Sequence, residues 1–301
     1  MNCGGPRADG VCNMNAEIKP GQSADLLKAL HILTRDGKLN QDSRRKLKQI
    51  YHLYHFIEPL LLELVDAGGE FCVADHGAGK SYLGFILYDL FFKPRISGDP
   101  HEGKPHGNKL SGTQSLMYGI ERRAELVAQS QALASQLAFS RMAFLNLSVE
   151  DSMTSPELPA KVQMVTALHA CDTATDDAIR FALRKEAQFI VLVPCCQAEV
   201  ASVLRQNKGA SLAKTPLAEI WRHPIHTREF GSQLTNVLRC LLLESHGYTL
   251  TVTELVGWEH SMKNELIIAR RGQSPRGNAR QRAEQILQEL NLPELLPRFV
   301  Y

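Results

Sequence analysis

The sequence predicts an α/β fold of the doubly wound kind, a parallel sheet covered by helices on both faces. Three observations predict it. From about residue 71 to 271, short apolar runs that end in polar or glycine-rich turns alternate with amphipathic stretches. The first run, Phe71-Cys72-Val73-Ala74, passes through Asp75-His76-Gly77-Ala78-Gly79-Lys80-Ser81 into an amphipathic run from Tyr82 to Phe92, which reads as strand, tight turn, helix. The last two runs, 248–255 and 265–270, flank a turn over 256–264 and read as a hairpin.

The glycine turn is the first element to justify. Gly77 and Gly79 lack a Cβ, so the chain can bend sharply there and a ligand can lie against it. The next helix then begins with N–H groups that point at that ligand. A phosphate-binding loop, G-x-x-x-x-G-K-[ST], fails on register, because its first glycine would fall on Ala74. Asp75 would also set a carboxylate beside the phosphates. The dinucleotide pattern G-x-G-x-x-G meets Tyr82 at its third glycine, a side chain too large for close helix–strand packing. What remains is D-x-G-x-G before a helix, with Asp75 placed to bond a hydroxyl or amine of a nucleotide-like cofactor.

The second strand is Ser115–Ile120, ending in Glu121, an acid that can take both hydroxyls of a ribose. Between these strands, residues 93–113 are rich in Gly, Pro and charge and read as a surface loop insertion. The third strand, Ala143–Leu147, leads into Ser148-Val149-Glu150-Asp151. The fourth, Val162–Leu168, ends in His169-Ala170-Cys171-Asp172, with a helix from about Asp176 to Lys185. The fifth, Phe189–Val193, ends in Pro194-Cys195-Cys196-Gln197. A helix over about 232–245 precedes the hairpin.

The D-x-G-x-G turn resembles the first motif of class I S-adenosylmethionine-dependent methyltransferases. Leu168-His169-Ala170-Cys171 and Pro194-Cys195-Cys196 are similar to one branch of that family, which includes tRNA 2′-O-methyltransferases and methyltransferase-like proteins. That branch has a glycine where this chain has Asp172 and histidines where it has Gln197-Ala198. The resemblance spans about residues 65–271. It implies a Rossmann-like seven-stranded sheet with the last strand antiparallel. It also implies S-adenosylmethionine as cofactor, held by Asp75, Gly77, Ala78, Gly79, Glu121 and His169, with Ser148 and Val149 at the adenine. RNA is the acceptor it suggests; protein and small molecules stay open.

The chemistry needs a nucleophile placed in line with an activated methyl group and one proton managed. Candidate catalytic residues at the strand ends are His169, Asp172, Cys195, Cys196 and Gln197. His169 can titrate near neutrality and act as a base, or stay neutral and bond cofactor or backbone. Asp172 reads first as the cap of the helix that follows it. The two cysteines can shape the pocket or, as a thiolate, carry the methyl group. Trp221-Arg222-His223-Pro224-Ile225-His226-Thr227-Arg228 reads as a polar loop in which Arg222, His226 and Arg228 could hold a phosphate or carboxylate. Lys263 and Asn264, in the hairpin turn, face the same rim. A dinucleotide-dependent oxidoreductase and a non-catalytic cofactor-binding scaffold are the competing readings.

Composition sets the limits. The chain has 301 residues, 44% hydrophobic, with a formal net charge of +2, so no global field draws it to nucleic acid. Seven cysteines without C-x-x-C spacing suit a reducing cytoplasm and no structural zinc. No signal peptide or membrane-length apolar run stands out. Residues 1–16 read as a mobile tail, 17–66 as a helical region, 67–271 as the α/β domain and 272–301 as a helical extension. In the second of these, Pro59 is expected to break or kink a helix opened at Asp42. Arg44, Arg45, Lys46 and Lys48 beside Tyr51, His52 and Tyr54 form a basic patch. It reads as an RNA contact or as a solvated helix face. The C-terminal run Arg270, Arg271, Arg276, Arg280 and Arg282 poses the same choice.

Overall fold

The computed structural model describes residues 17–97, 110, 114, 116–168, 170, 172–194, 197–206, 216–255, 265–272, 274 and 277–301. The expected tail 1–16 lies outside them. Seven strands form one sheet: β1 (Val73–His76), β2 (Met117–Ile120), β3 (Met142–Leu145), β4 (Met164–Leu168), β5 (Phe189–Val193), β6 (Tyr248–Glu254) and β7 (Glu265–Arg271). Their spatial order is β3-β2-β1-β4-β5-β7-β6. The first five run parallel, and β7 lies antiparallel to both β5 and β6. The doubly wound sheet and its closing hairpin are therefore present as the sequence predicts.

The central strands are buried along their whole length because both faces are covered. Alternate residues serve opposite faces. Val73, Met117, Met164, Phe189 and Val191 join one core with the helices α1 (Ala24–Ala29), α2 (Gln41–Ala67) and α3 (Tyr82–Leu87). Ala74, Tyr118, Val165, Ile190 and Leu192 join a second core with α7 (Thr173–Arg184). A third cluster packs α8 (Glu199–Gln206) and α9 (Pro224–Ser245) against α10 (Ala279–Glu289) and the C-terminal turn α11 (Leu296–Phe299). Helix α5 (Ala124–Gln136) follows β2, and α6 (Val149–Thr154) follows β3.

Three departures from the sequence reading change an element by more than a few residues or remove an expected break. Pro59 sits inside an unbroken α2. Pro59 and His55 both face solvent, so water can meet the carbonyl that the proline leaves unpaired. The helix after the glycine turn does not stop at Phe92. It widens to a π-turn over Tyr88–Phe92 and continues as α4 (Lys93–Ser97). There Lys93 N–H donates to Tyr88 O five residues back, ahead of Pro94, which has no N–H to give. The expected insertion thus begins at least five residues later, and most of it lies outside the described residues. Finally, α9 starts at Pro224, eight residues before the expected Ser232.

The N-terminal helices are part of the domain. Ser23 N–H donates to the buried carboxylate of Asp89 at 2.7 Å, and Lys19 lies over the ring of Tyr54. Arg44 pairs with Glu17 and Arg45 with Asp42, at solvent. Among the described residues no helix is long and apolar enough to cross a membrane.

Candidate active site

The glycine turn folds over the end of β2. Gly77 and Ala78 both donate their N–H to Ile120 O, at 2.9 and 3.0 Å. Gly77, Gly79 and Ser81 have φ of +69°, +58° and +49°, so the chain passes three times through the left-handed region. A Cβ at Gly77 or Gly79 would meet nothing closer than 3.8 Å. The glycines are therefore required by the bend, and the wall they form is free of side chains. Gly84, two residues into α3, takes the packing role that Tyr82 could not fill. A Cβ there would meet Ser81 Oγ at 2.4 Å and Met117 Cε at 3.0 Å.

Asp75 lies beneath this turn and does not reach out of it. It is 3% exposed; Thr166 Oγ1 donates to Oδ1 at 2.8 Å and Ser81 Oγ to Oδ2 at 3.5 Å. The register that pairs Asp75 with Thr166 on β4 fixes the first bond. Burial pushes the carboxyl up to about 7 against these two bonds. Its neighbour His76 turns to the opposite face, against Phe181, and neither ring nitrogen has a hydrogen-bond partner. Burial pulls the imidazole down to about 4, so it is neutral.

Glu121 reaches the turn from β2. Its Oε2 accepts from Gly79 N–H at 2.8 Å, and its Oε1 accepts from the N–H and Nε of Arg123, both at 3.0 Å. Burial opposes the charge, but the bonds from Arg123 and Gly79 outweigh it and hold the carboxyl below its ordinary range. Asn146, past the end of β3, donates to the carbonyls of Glu121 and Arg122 and fixes this corner. Ser148 caps α6: its hydroxyl accepts from Asp151 N–H at 3.1 Å and donates to Asp151 Oδ2 at 2.7 Å. Val149 opens that helix half-buried.

Two candidate catalytic residues at the ends of β4 and β5 are engaged with protein. Asp172 does not cap its own helix; its Oδ1 accepts from Ala198 and Glu199 N–H, at the start of α8. Gln197 is buried between two residues of α9, accepting from Ser232 Oγ at 2.6 Å and donating to Asn236 Oδ1 at 3.2 Å. Both depart from the expectation of a group aimed at the acceptor. His169, Cys195 and Cys196 lie outside the described residues. Behind these loops stands Arg239, fully buried. It forks onto Asp176 and donates to Asp172 O and Asn236 Oδ1. Asn236 also donates to Glu265 Oε2.

A family model described as a methyltransferase domain matches residues 45–203. The match covers more than half of the chain. The chain belongs to the methyltransferase-domain family. It is a class I S-adenosylmethionine-dependent methyltransferase, and the oxidoreductase reading of the glycine turn falls away. No curated protein sequence matches it. Among solved structures, an rRNA methylase from Streptococcus thermophilus is 11% identical with a TM-score of 0.41, over 73% of this chain and 96% of that one. Magnesium protoporphyrin IX methyltransferase from Synechocystis PCC 6803, with bound SAH, is 14% identical with a TM-score of 0.42, over 82% and 93%. A precorrin-6y C5,15-methyltransferase from Geobacter metallireducens GS-15 is 15% identical with a TM-score of 0.38, over 71% and 87%.

The residues of this methyltransferase fit the donor. The turn at Gly77 and Gly79 leaves a wall against which a flat nucleoside can lie, and Glu121 places an ionised carboxylate at its edge. Arg123 holds that carboxylate from an exposed position, so it is free to swing aside. The rim beyond comes from α9. Since β6 runs parallel to β5 and α9 feeds β6, the helix starts on the carboxyl side of the sheet. Ser232 bonds Gln197, four residues past β5, and the eight residues before it extend α9 by about 12 Å toward its start. Arg222, His226 and Arg228 are exposed on or just ahead of this overhang, at a helix start and not in a loop. Arg222 pairs with Glu219 and Arg228 with Glu229, both at solvent. Lys263 and Asn264 lie outside the described residues.

Sequence reasoning missed Gly84, Asn146, Arg123 and Arg239. Only Gly84 left a trace, a glycine one turn into a helix that follows a glycine turn. Asn146 and Arg239 act through partners far off in sequence, and Arg123, two residues from Glu121, reads as an ordinary surface arginine until the fold turns it back onto that carboxylate.

Proposed function

We propose that this methyltransferase acts on RNA. The observation that carries the reading is the α9 overhang: two arginines and an imidazole stand exposed beside Ile225, which is 56% exposed, on the side where the strands end. The arginines' present partners are neighbouring glutamates at the surface, pairs of little strength that a phosphate can replace. The two imidazoles of His223 and His226 meet edge to face at 5.3 Å and offer ring surface to a base.

When bound, S-adenosylmethionine supplies a methyl group already activated by its sulfonium. The chain's part is then to hold and orient. Glu121 takes the ribose hydroxyls, the side-chain-free wall of the Gly77–Gly79 turn borders the amino-acid end, and Ser148 and Val149 flank the adenine. Asp75 supports the turn from below through its bonds with Thr166 and Ser81. His169, one residue past β4, is the base of choice by its chemistry.

The test is transfer of tritiated methyl groups from S-adenosylmethionine into RNA, protein and metabolite fractions of a cell extract. Label in RNA is expected. Label confined to protein or metabolites overturns the RNA acceptor, and donor binding with no label anywhere favours a scaffold.

A further inference from the structure

Asp172 carries two features that a surface aspartate does not need. Its backbone sits at φ +50°, ψ −121°, a region that glycine enters readily and other residues enter under strain. Its carboxylate turns away from its own helix to receive Ala198 N–H at 3.1 Å and Glu199 N–H at 3.4 Å across the gap between two strand ends. Its carbonyl is held at 2.8 Å by Arg239 Nη2. The same guanidinium reaches Gln197 through Asn236, whose Oδ1 accepts from both. Arg298, from the C-terminal turn, closes the ring by bonding Asp176 and Glu199.

We propose that Asp172, held by Arg239, is a staple that fixes the loop after β4 to the loop after β5, and so is a positioning residue for methyl transfer and not its proton acceptor. The proposal rests on the methyltransferase reading of this site. Methyl transfer needs donor and acceptor in line, and both strand ends border the acceptor side. A base would need its carboxylate aimed at the acceptor, whereas the two amides on Oδ1 turn this one toward the start of α8. The strained backbone is held in place by the bonds that surround it.

Three variants separate the roles. Asp172→Asn keeps an acceptor oxygen for the two amides; Asp172→Gly frees the backbone and removes the staple; Asp172→Ala removes the staple and keeps the strain. Glycine suits the conformation, so Asp172→Gly is expected to fold. Amide hydrogen exchange on the whole chain is the first readout. Exchange at Ala198 and Glu199 should rise at least about fivefold in the Gly and Ala variants and stay near wild type in Asn. Wild-type exchange in Asp172→Gly overturns the staple. The second readout is methyl transfer into whichever fraction the wild type labels. Asp172→Gly should lose about tenfold or more in kcat with the KM for S-adenosylmethionine unchanged. Asp172→Asn should keep the wild-type pH profile within about threefold of its rate. Loss of the basic activity limb in Asp172→Asn makes Asp172 the proton acceptor and ends the proposal. The exchange measurement needs no acceptor, so a failure of the RNA reading leaves the staple tested on its own.

Discussion

Glu121 accepts four hydrogen bonds from its own corner, one from Gly79 and three from Arg123, and all lie at the mouth of the glycine turn. Replacing it with alanine should weaken S-adenosylmethionine binding by about 10- to 100-fold, the worth of a charged hydrogen-bond acceptor. Isothermal titration checks this, and the thermal midpoint should move little because Arg123 is exposed. Asp75 gives a second prediction, in pH. Its folded carboxyl titrates near 7 against an ordinary 3.8, so from about pH 4 to 7 the folded chain holds a proton that the unfolded chain has lost. Stability from this group therefore falls as pH rises through that window. His76 works the other way: neutral when folded down to about 4, against an ordinary 6.5, it adds stability that is lost as pH falls from 6.5 to 4. The two slopes oppose each other over most of the range. In Asp75→Asn only the histidine slope remains, so urea unfolding should show the variant gaining on the wild type between pH 5 and 8 by up to about 2–3 kcal/mol. A difference that does not change with pH would contradict the buried placement of Asp75. At this scale the sequence showed which residues gather at the strand ends, but not which way they face. Asp75 and Glu121 are both strand-end acids; only the strand pairing that sets Asp75 beside Thr166 turns one inward.

Helix α9 ties three structural units together. Its middle packs in the cluster with α8 and α10, its Arg239 holds the loop after β4, and its first turns form the rim. The contact with α8 is backbone-close: a Cβ on Gly231 would lie 2.7 Å from both Ala201 Cβ and Ala201 N. Gly231→Ala should then force the helices apart and cost about 2–3 kcal/mol, although alanine is the better helix former by about 1 kcal/mol. Adding Ala201→Gly should recover little, since the backbone nitrogen and Cα remain in the way. Chemical denaturation of the single and double variants decides it. The strands were legible because apolar runs ending in acids or glycines leave few alternatives, and β5 was found to the residue. The start of α9 has a sequence signal too: His223-Pro224 is a helix opening, with proline at the first helical position. The π-turn was not legible, because Pro94 alone does not say whether a helix ends, kinks or widens.

The whole molecule carries a net charge of only +2, and surface arginines such as Arg44, Arg222 and Arg228 are paired with glutamates, so the field that reaches a polyanion is local. The rim offers Arg222 and Arg228, with His226 between them. Contact with about three phosphates then limits the salt dependence of RNA binding to a log–log slope of about −2 to −3. Raising salt from 50 to 200 mM should weaken binding by about 16- to 64-fold, read by fluorescence anisotropy on a labelled tRNA. In the double variant Arg222→Ala, Arg228→Ala the slope should fall by about 1.5 to 2. A slope steeper than about −5 would require a second basic surface, and the N-terminal stretch Arg44–Lys48 would be the place to seek it. A steep slope unchanged by the double variant would remove RNA from the α9 rim altogether. The donor site would be unaffected, because Glu121 and the glycine turn belong to β1 and β2 and do not depend on α9.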